Sequence, residues 1–387
     1  MATPNRRTIA DLRGATRLAI DATLGVMGVV EKMHHTVQLT PMPIGKSRAA
    51  RPAGLTGLIY RSIRGTTKLI GHGLDAGLAP VAALLPDGET SAARDAWVSV
   101  INGVYGDHLE ATGNPLAIEM SLRSNGVVVD PERPAEALSG AQGRVMLVIH
   151  GLCLNDLHWS REGVNRMEAV AAASGYTPIF LRYNTGRSIA TNGRQLASML
   201  ETLLGNWPGS VDELAIAGHS MGGLVARSAS HHGEAAGHAW VRSLRKLVFL
   251  GTPHHGAPLE RGGHRLDYVM QLSPYVAPFA TLGKARSAGI TDLRYGTITE
   301  HKKRAVPLPA GVSSYTLAAT LGKRRTVVAE RLIGDGLVPL DSALGRHDDA
   351  NRTLAIPKSH QHVIHETGHL ELLHRPEVYE RVSKWLE

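Results

Sequence analysis

Between Leu214 and Gly223 the chain reads Leu-Ala-Ile-Ala-Gly-His-Ser-Met-Gly-Gly, placing Ser220 between glycines directly after a short apolar run. A serine hydroxyl is a useful nucleophile only when it stands proud of its scaffold, within reach of a base and beside backbone N–H groups that can hold an oxyanion. That geometry needs a sharp strand-to-helix turn where the chain packs closely on itself, which Gly218, Gly222 and Gly223 permit. The pattern G-x-S-x-G, followed by the proline-free helix start Leu224-Val225-Ala226-Arg227-Ser228, has the form of a nucleophile elbow.

The partners of such a serine can be sought by chemistry and chain order. Val145-Met146-Leu147-Val148-Ile149 is an apolar run suited to a strand buried on both faces, and His150-Gly151-Leu152 follows it immediately. The backbone N–H groups of Leu152 and Met221 are therefore the expected oxyanion donors. In the order Ser, then acid, then His, the acid falls in Gly334-Asp335-Gly336-Leu337-Val338-Pro339, where flanking glycines and a proline make a tight loop able to aim one carboxylate inward. Asp335 is the expected acid, with Asp341 as the alternative. The base comes from a histidine-rich tail in which His360, His362, His365, His369 and His374 compete. His369 is favoured because it lies just before the helix opened by Pro376, whose apolar positions Val378, Val382, Trp385 and Leu386 recur at helical spacing.

His365-Glu366-Thr367-Gly368-His369 also satisfies H-E-x-x-H, a zinc-hydrolase pattern. It requires both histidines one turn apart on a sustained helix, and Gly368 lowers helix propensity by about 1 kcal/mol relative to alanine. No third ligand is specified, and the elbow, the His-Gly loop and Asp335 would be left without a role. Neither a metal nor a cofactor is expected.

Five segments taken together, His150-Gly151-Leu152-Cys153-Leu154-Asn155-Asp156, Tyr183-Asn184-Thr185-Gly186, the Ser220 elbow, Gly251-Thr252-Pro253-His254-His255-Gly256 and Gly334 to Pro339, give a specific resemblance. The chain resembles bacterial esterases and lipases of the α/β-hydrolase superfamily related to the GPI inositol-deacylase-like hydrolases, over roughly residues 115–387. The resemblance implies an α/β-hydrolase fold, cofactor-free hydrolysis of carboxylic esters by a serine carboxylesterase or lipase, and a mobile cap over the site. It leaves the ester open, since the group includes lipases, short-chain esterases and enzymes of aliphatic polyesters. Acyl transfer to an alcohol and a catalytically silent, membrane-associated scaffold of the same fold are the alternatives. Cys153 departs from the pattern, standing where a small residue, often glycine, follows His-Gly-x. As the only cysteine it forms no internal disulfide and reads as a small buried hydrophobe.

These residues need a scaffold to position them. Leu116 to Arg123 and Gly126 to Val129 suggest a hairpin around Ser124-Asn125. Ile179 to Tyr183, Leu214 to Ala217, Lys246 to Leu250 and Ser314 to Ala318 are further strands separated by helix-length segments. Such alternation predicts a mostly parallel sheet with helices on both faces. Residues 257–311 are too long for a structureless loop and are expected to form a helical cap, with Tyr268, Met270, Leu272, Tyr275 and Phe279 offering apolar surface to an acyl group. The expected organisation is a helical N-terminal extension over 1–114 and a catalytic domain over 115–387.

At 387 residues and 43% hydrophobic content the chain can bury a large core. Its formal net charge of +8 is uneven, with about eleven Lys and Arg against about four acids in residues 1–80. No basic-aromatic stripe or nucleic-acid reader motif accompanies this surplus, so nucleic acid is not an expected partner. The amphipathic segment Leu58 to Leu74, with Arg61, Arg64 and Lys68 opposite its isoleucines, fits peripheral association with an anionic membrane surface as well as packing on its own domain. The first residues do not resemble a Sec signal, and the apolar runs are too short to span a bilayer of about 30 Å, so a cytoplasmic protein is expected.

Overall fold

The computed structural model describes residue 7 and residues 9–21, 92–161, 163–257, 287–301, 306–322 and 334–387. The chain divides into two compact units, Met1–Ser91 with Leu109–Ala117, and Ala92–His108 with Ile118–Glu387. In the first unit residues 9–21 are helical. Asn114 Nδ2 donates to the Gly14 carbonyl at 3.1 Å and Arg17 Nη1 to the Gly113 carbonyl at 3.0 Å, over buried Leu18 and Leu116. The amphipathic segment Leu58 to Leu74 and the proline breaks near Pro41 and Pro86 lie outside the described residues, as does most of the cap expected over 257–311. No helix of the described residues is long and apolar enough to cross a membrane.

The second unit is built on one large sheet. In chain order its elements are α1 (Ala92–Ala111, belonging here up to His108), β1 (Ser121–Ser124), β2 (Val127–Val129), β3 (Arg144–Ile149), the short pair β4 (Ser160–Arg161) and β5 (Val164–Asn165), α2 (Arg166–Ala173) and β6 (Thr177–Arg182). Then follow α3 (Ile189–Gly205), β7 (Glu213–His219), α4 (Met221–Ala236), β8 (Leu244–Leu250), α5 (Ala288–Tyr295), β9 (Ser313–Thr320), α6 (Leu340–Ala343), β10 (Gln361–His365) and α7 (Pro376–Leu386). The sheet runs β10-β9-β8-β7-β3-β6-β1-β2. All neighbours from β6 to β10 pair parallel, while β1 pairs antiparallel with β6 and β2. This is the expected α/β-hydrolase fold.

The apolar runs explain why these strands lie in the interior. In β3, Val145, Leu147 and Ile149 pack into one apolar layer and Met146 and Val148 into the other. In β7, Leu214 and Ile216 face the first and Ala215 and Ala217 the second. Side chains alternate between faces along a strand, so a continuous apolar run means both faces are covered. Helices α3 and α4 contribute to the first layer, and α2 and α7 to the second. In α7, Val378, Val382, Trp385 and Leu386 are buried as their spacing predicts, and Pro376 stands at its first turn.

Two details differ from expectation. The hairpin forms, but its turn is Asn125-Gly126, with φ of 50° and 77°, one residue later than expected. An Asn-Gly pair accepts positive φ at both turn positions, which matches the twist of the flanking strands. The histidine-rich tail also contains a strand, β10, pairing parallel with β9 from Gln361↔Thr316 to His365↔Thr320.

Register brings the chemistry to one edge. Ile149 pairs with Gly218, and His219 with Leu250, so β3, β7 and β8 end at nearly the same level. The loops that carry Gly151, Ser220 and Gly251 thereby leave the carboxyl edge side by side, the usual position of ligand sites in open α/β sheets.

Candidate active site

Ser220 links β7 to α4 at φ +54° and ψ −122°, outside the regions ordinary residues occupy. Its N–H donates to the Leu250 carbonyl at 2.8 Å, and its carbonyl accepts from Gly223 N at 3.1 Å. The glycines around it are sterically required. A Cβ on Gly218 would sit 2.4 Å from Gly223 N, one on Gly222 2.3 Å from the Ile149 carbonyl oxygen, and one on Gly223 2.0 Å from Thr252 Oγ1. Gly222→Ala therefore drives a methyl into backbone that cannot rotate away, and is expected to cost about 1–3 kcal/mol. Equilibrium urea unfolding checks this, against Gly205→Ala, where a Cβ meets nothing within 4 Å.

The loop after β3 abuts this turn: a Cβ on Gly151 would lie 3.0 Å from Ser220 Cβ. His150 anchors the loop. It is buried, its Nδ1–H donates to the Gly151 carbonyl at 2.9 Å, its ring stacks on Tyr183 at 4.6 Å, and the Tyr183 hydroxyl donates to its carbonyl at 2.9 Å. Burial lowers the His150 pKa to about 4, so it is a neutral structural ring. Neither Leu152 N–H nor Met221 N–H has a protein acceptor among the described residues. Two such donors, the second at the N-terminus of a helix, can take a developing negative charge.

A second motif segment, Tyr183 to Gly186, helps to brace this loop. Thr185 Oγ1 accepts from Cys153 N at 3.2 Å, and Asn184 donates through Nδ2 to the Gly106 carbonyl at 2.9 Å. Asp156 is tied to Arg182 at 2.5 Å, and Arg182 in turn to Asp95 at 2.9 Å, so a largely buried ion cluster fastens the loop to α1 and β6. Cys153 adopts φ +62°, which accounts for the glycine expected at its place. It is buried, and burial pushes its thiol up to about 12, so it is an inert packing group.

Asp335 and His369 come together. His369 Nδ1 and Asp335 Oδ2 are 2.6 Å apart, and both side chains are buried. The other carboxylate oxygen, Oδ1, accepts from Leu337 N at 3.0 Å and Val338 N at 2.8 Å, while the Asp335 carbonyl accepts from His369 N at 3.0 Å. Gly334 makes the loop close: at φ +53° its missing Cβ would stand 1.9 Å from the Val338 carbonyl oxygen. His369 lies over the elbow, its ring 4.8 Å from that of His219, the residue before Ser220. It also lies beside Gly251, where a Cβ would be 3.2 Å from the imidazole.

The competing residues are placed elsewhere. Asp341 is partly exposed in α6 and faces Arg346 at 3.8 Å. His360 stacks on Tyr315 at 4.2 Å, His362 and His365 lie in β10, and His374 follows the short 3-10 turn Glu371–Leu373. The H-E-x-x-H segment is not helical: His365 ends a strand and Glu366 has φ +50°, so its two histidines do not share a helix face.

His219 was not singled out by the sequence as a functional group. It is fully buried, and burial foremost, with His369 nearby, holds its pKa well below the ordinary value, so it is neutral. Its Nε2 lies 3.2 Å from the His369 carbonyl, to which it donates. Its place directly before the elbow serine was the available signal.

The arrangement can perform proton transfer. A hydroxyl stands on a strained turn, two N–H groups without acceptors among the described residues lie in the adjoining loop and at the helix start, and nearby lies an imidazole whose Nδ1 is held by a carboxylate.

A family model described as "Domain of unknown function (DUF7379)" matches residues 123–293. No curated protein matches the chain. Among solved structures the chain is similar to the lipase BlEst2 of Bacillus licheniformis in its mature form, with 19% identity, covering 69% of this chain and 98% of that one at a TM-score of 0.44. It is also similar to an esterase of Pyrococcus furiosus, with 14% identity over 63% of this chain and 83% of that one, TM-score 0.39. A third is a thermophilic esterase of Thermogutta terrifontis, with 18% identity over 64% and 90%, TM-score 0.39.

Proposed function

We propose that this chain is a serine ester hydrolase working through an acyl-enzyme. The observation that carries the reading is the Asp335–His369 pair set against the strained Ser220 turn. In this mechanism His369 Nε2 takes the proton from Ser220 Oγ as the oxygen attacks the ester carbonyl. Asp335 holds Nδ1–H and stabilises the imidazolium, and the Leu152 and Met221 N–H groups receive the oxyanion. The proton then passes from His369 to the leaving alkoxide, which departs as the alcohol. Water, deprotonated by the same imidazole, releases the acid and restores Ser220.

The five motif segments together support a relationship to the GPI inositol-deacylase-like esterases and lipases. The apolar side chains in the sequence between Ala257 and Gly311 support a medium-length acyl group as substrate, aliphatic polyesters included. The basic amphipathic segment Leu58 to Leu74 supports peripheral attachment to anionic membranes from the cytoplasm.

Two measurements test the reading. A fluorophosphonate probe should label Ser220 and no other residue; an unlabelled protein, under conditions that label a control hydrolase, would favour the silent scaffold. Across p-nitrophenyl esters from C2 to C16, kcat/KM should rise by up to about fourfold per added methylene, as expected from about 0.8 kcal/mol per buried CH₂, until the pocket is full. A steady fall from C2 would reject the medium acyl chain while leaving the serine chemistry intact. Product analysis with an added alcohol separates hydrolysis from acyl transfer.

A further inference from the structure

Arg227 lies midway along α4 and is 6% exposed. Its Nη2 donates to the Val306 carbonyl at 2.7 Å and its Nη1 to His254 Nδ1 at a long 3.5 Å, while its Nε–H has no partner. No carboxylate pairs with it among the described residues. Burial lowers its pKa to about 10, which still leaves it charged at neutral pH. A guanidinium withdrawn from water without a counter-ion is unfavourable, and buried charges in folded proteins are ordinarily paired.

The surroundings are built of donors in the same condition. Because His254 Nδ1 accepts from Arg227, its proton sits on Nε2, which is buried and unpartnered. Thr297 Oγ1 and Ser314 Oγ are likewise buried and without partners, and both residues are more than nine-tenths buried. All four residues line one cavity of about 600 Å³, together with the apolar Ile298 and Leu308. Ser220, Asp335 and His369 are not among its lining residues, so it is separate from the candidate active site.

We propose that this cavity binds a singly charged carboxylate bearing a short aliphatic chain. Arg227, His254, Thr297 and Ser314 receive the anion, and the chain lies along Ile298 and Leu308. One charge inside the cavity, beside a buried histidine that carries none, matches a monoanion better than a phosphate dianion. Exposed Arg352, also on the lining, adds attraction from outside without fixing the geometry.

The test is binding to the full chain, read by calorimetry and thermal denaturation, with no ester and no turnover involved. It therefore stands or falls independently of the proposed hydrolysis. Hexanoate should raise the melting midpoint by about 3 °C at a hundredfold excess over its Kd. Hexan-1-ol, the neutral analogue, should give no comparable shift, and inorganic phosphate a smaller one. Arg227→Met should abolish the hexanoate shift while leaving the ligand-free midpoint equal or higher, because an apolar chain of similar size replaces an uncompensated charge. If that variant does not fold, the double variant Thr297→Val, Ser314→Ala serves in its place and should weaken hexanoate by about tenfold or more. Three results would overturn the proposal: no shift with hexanoate at tens of millimolar, equal shifts with hexanoate and hexan-1-ol, or a hexanoate shift unchanged in these variants. A phosphate shift exceeding that of hexanoate would overturn the carboxylate assignment.

Discussion

Ser220→Ala is expected to lower kcat for p-nitrophenyl esters by on the order of 10⁴- to 10⁶-fold, the scale on which loss of the nucleophile falls in serine hydrolases generally. The residual rate would come from the free N–H groups of Leu152 and Met221 and from substrate binding. Fold stability should barely move, within about 0.5 kcal/mol, because alanine retains the Cβ and the φ of +54°. Ser220→Gly should be equally inactive yet more stable by about 1 kcal/mol, since glycine adopts that backbone without strain. Steady-state kinetics beside chemical denaturation of all three proteins checks both. An Ala variant within tenfold of the parent would remove Ser220 from the mechanism, and a Gly variant less stable than Ala would remove the argument from strain.

Asp335→Asn is the second large effect, expected to lower kcat by about 10⁴-fold with little loss of stability. The geometry gives the reason. Oδ1 accepts hydrogen bonds from the N–H groups of Leu337 and Val338, so in asparagine the amide oxygen must occupy that position. The amide NH₂ then falls where Oδ2 stood, 2.6 Å from His369 Nδ1, and can only donate. His369 must accept on Nδ1 and carry its proton on Nε2, the atom that has to be empty to act as base. Asp341→Asn, at a partly exposed residue facing Arg346, should leave kcat within about twofold, since surface pairs contribute little. Equal losses in the two variants would mean that Asp335 does not act through the tautomer of His369.

The sequence carried much of this site because its parts are local. Ser220 has its glycines within three residues, Gly151 stands two residues after a continuous apolar strand, and Asp335 lies between the two glycines that turn its loop. Each is a short-range steric demand written into adjacent residues. Strand β10 was not legible for the opposite reason. Gln361-His362-Val363-Ile364-His365 has no apolar run, and only Ile364 of the five is buried, as befits an edge strand held by its ladder to β9. The Asp95–Arg182–Asp156 cluster joins Arg182 to residues 87 and 26 positions earlier in the chain, and no spacing rule connects them. Cys153 shows an intermediate case: its place in the motif marked a glycine-like position, but only the backbone reveals that the demand is a φ of +62°.

The turn at Ser220 also restricts what chemistry this scaffold could acquire by descent. Its positive φ, a conformation that side chains branched at the β-carbon adopt least readily, weighs against branching at that carbon. Threonine, which offers the same hydroxyl, is thereby disfavoured, whereas cysteine and aspartate, unbranched at that carbon, escape this penalty. The backbone thus sorts the nucleophiles open to this position by the shape of one carbon before reactivity is tested at all.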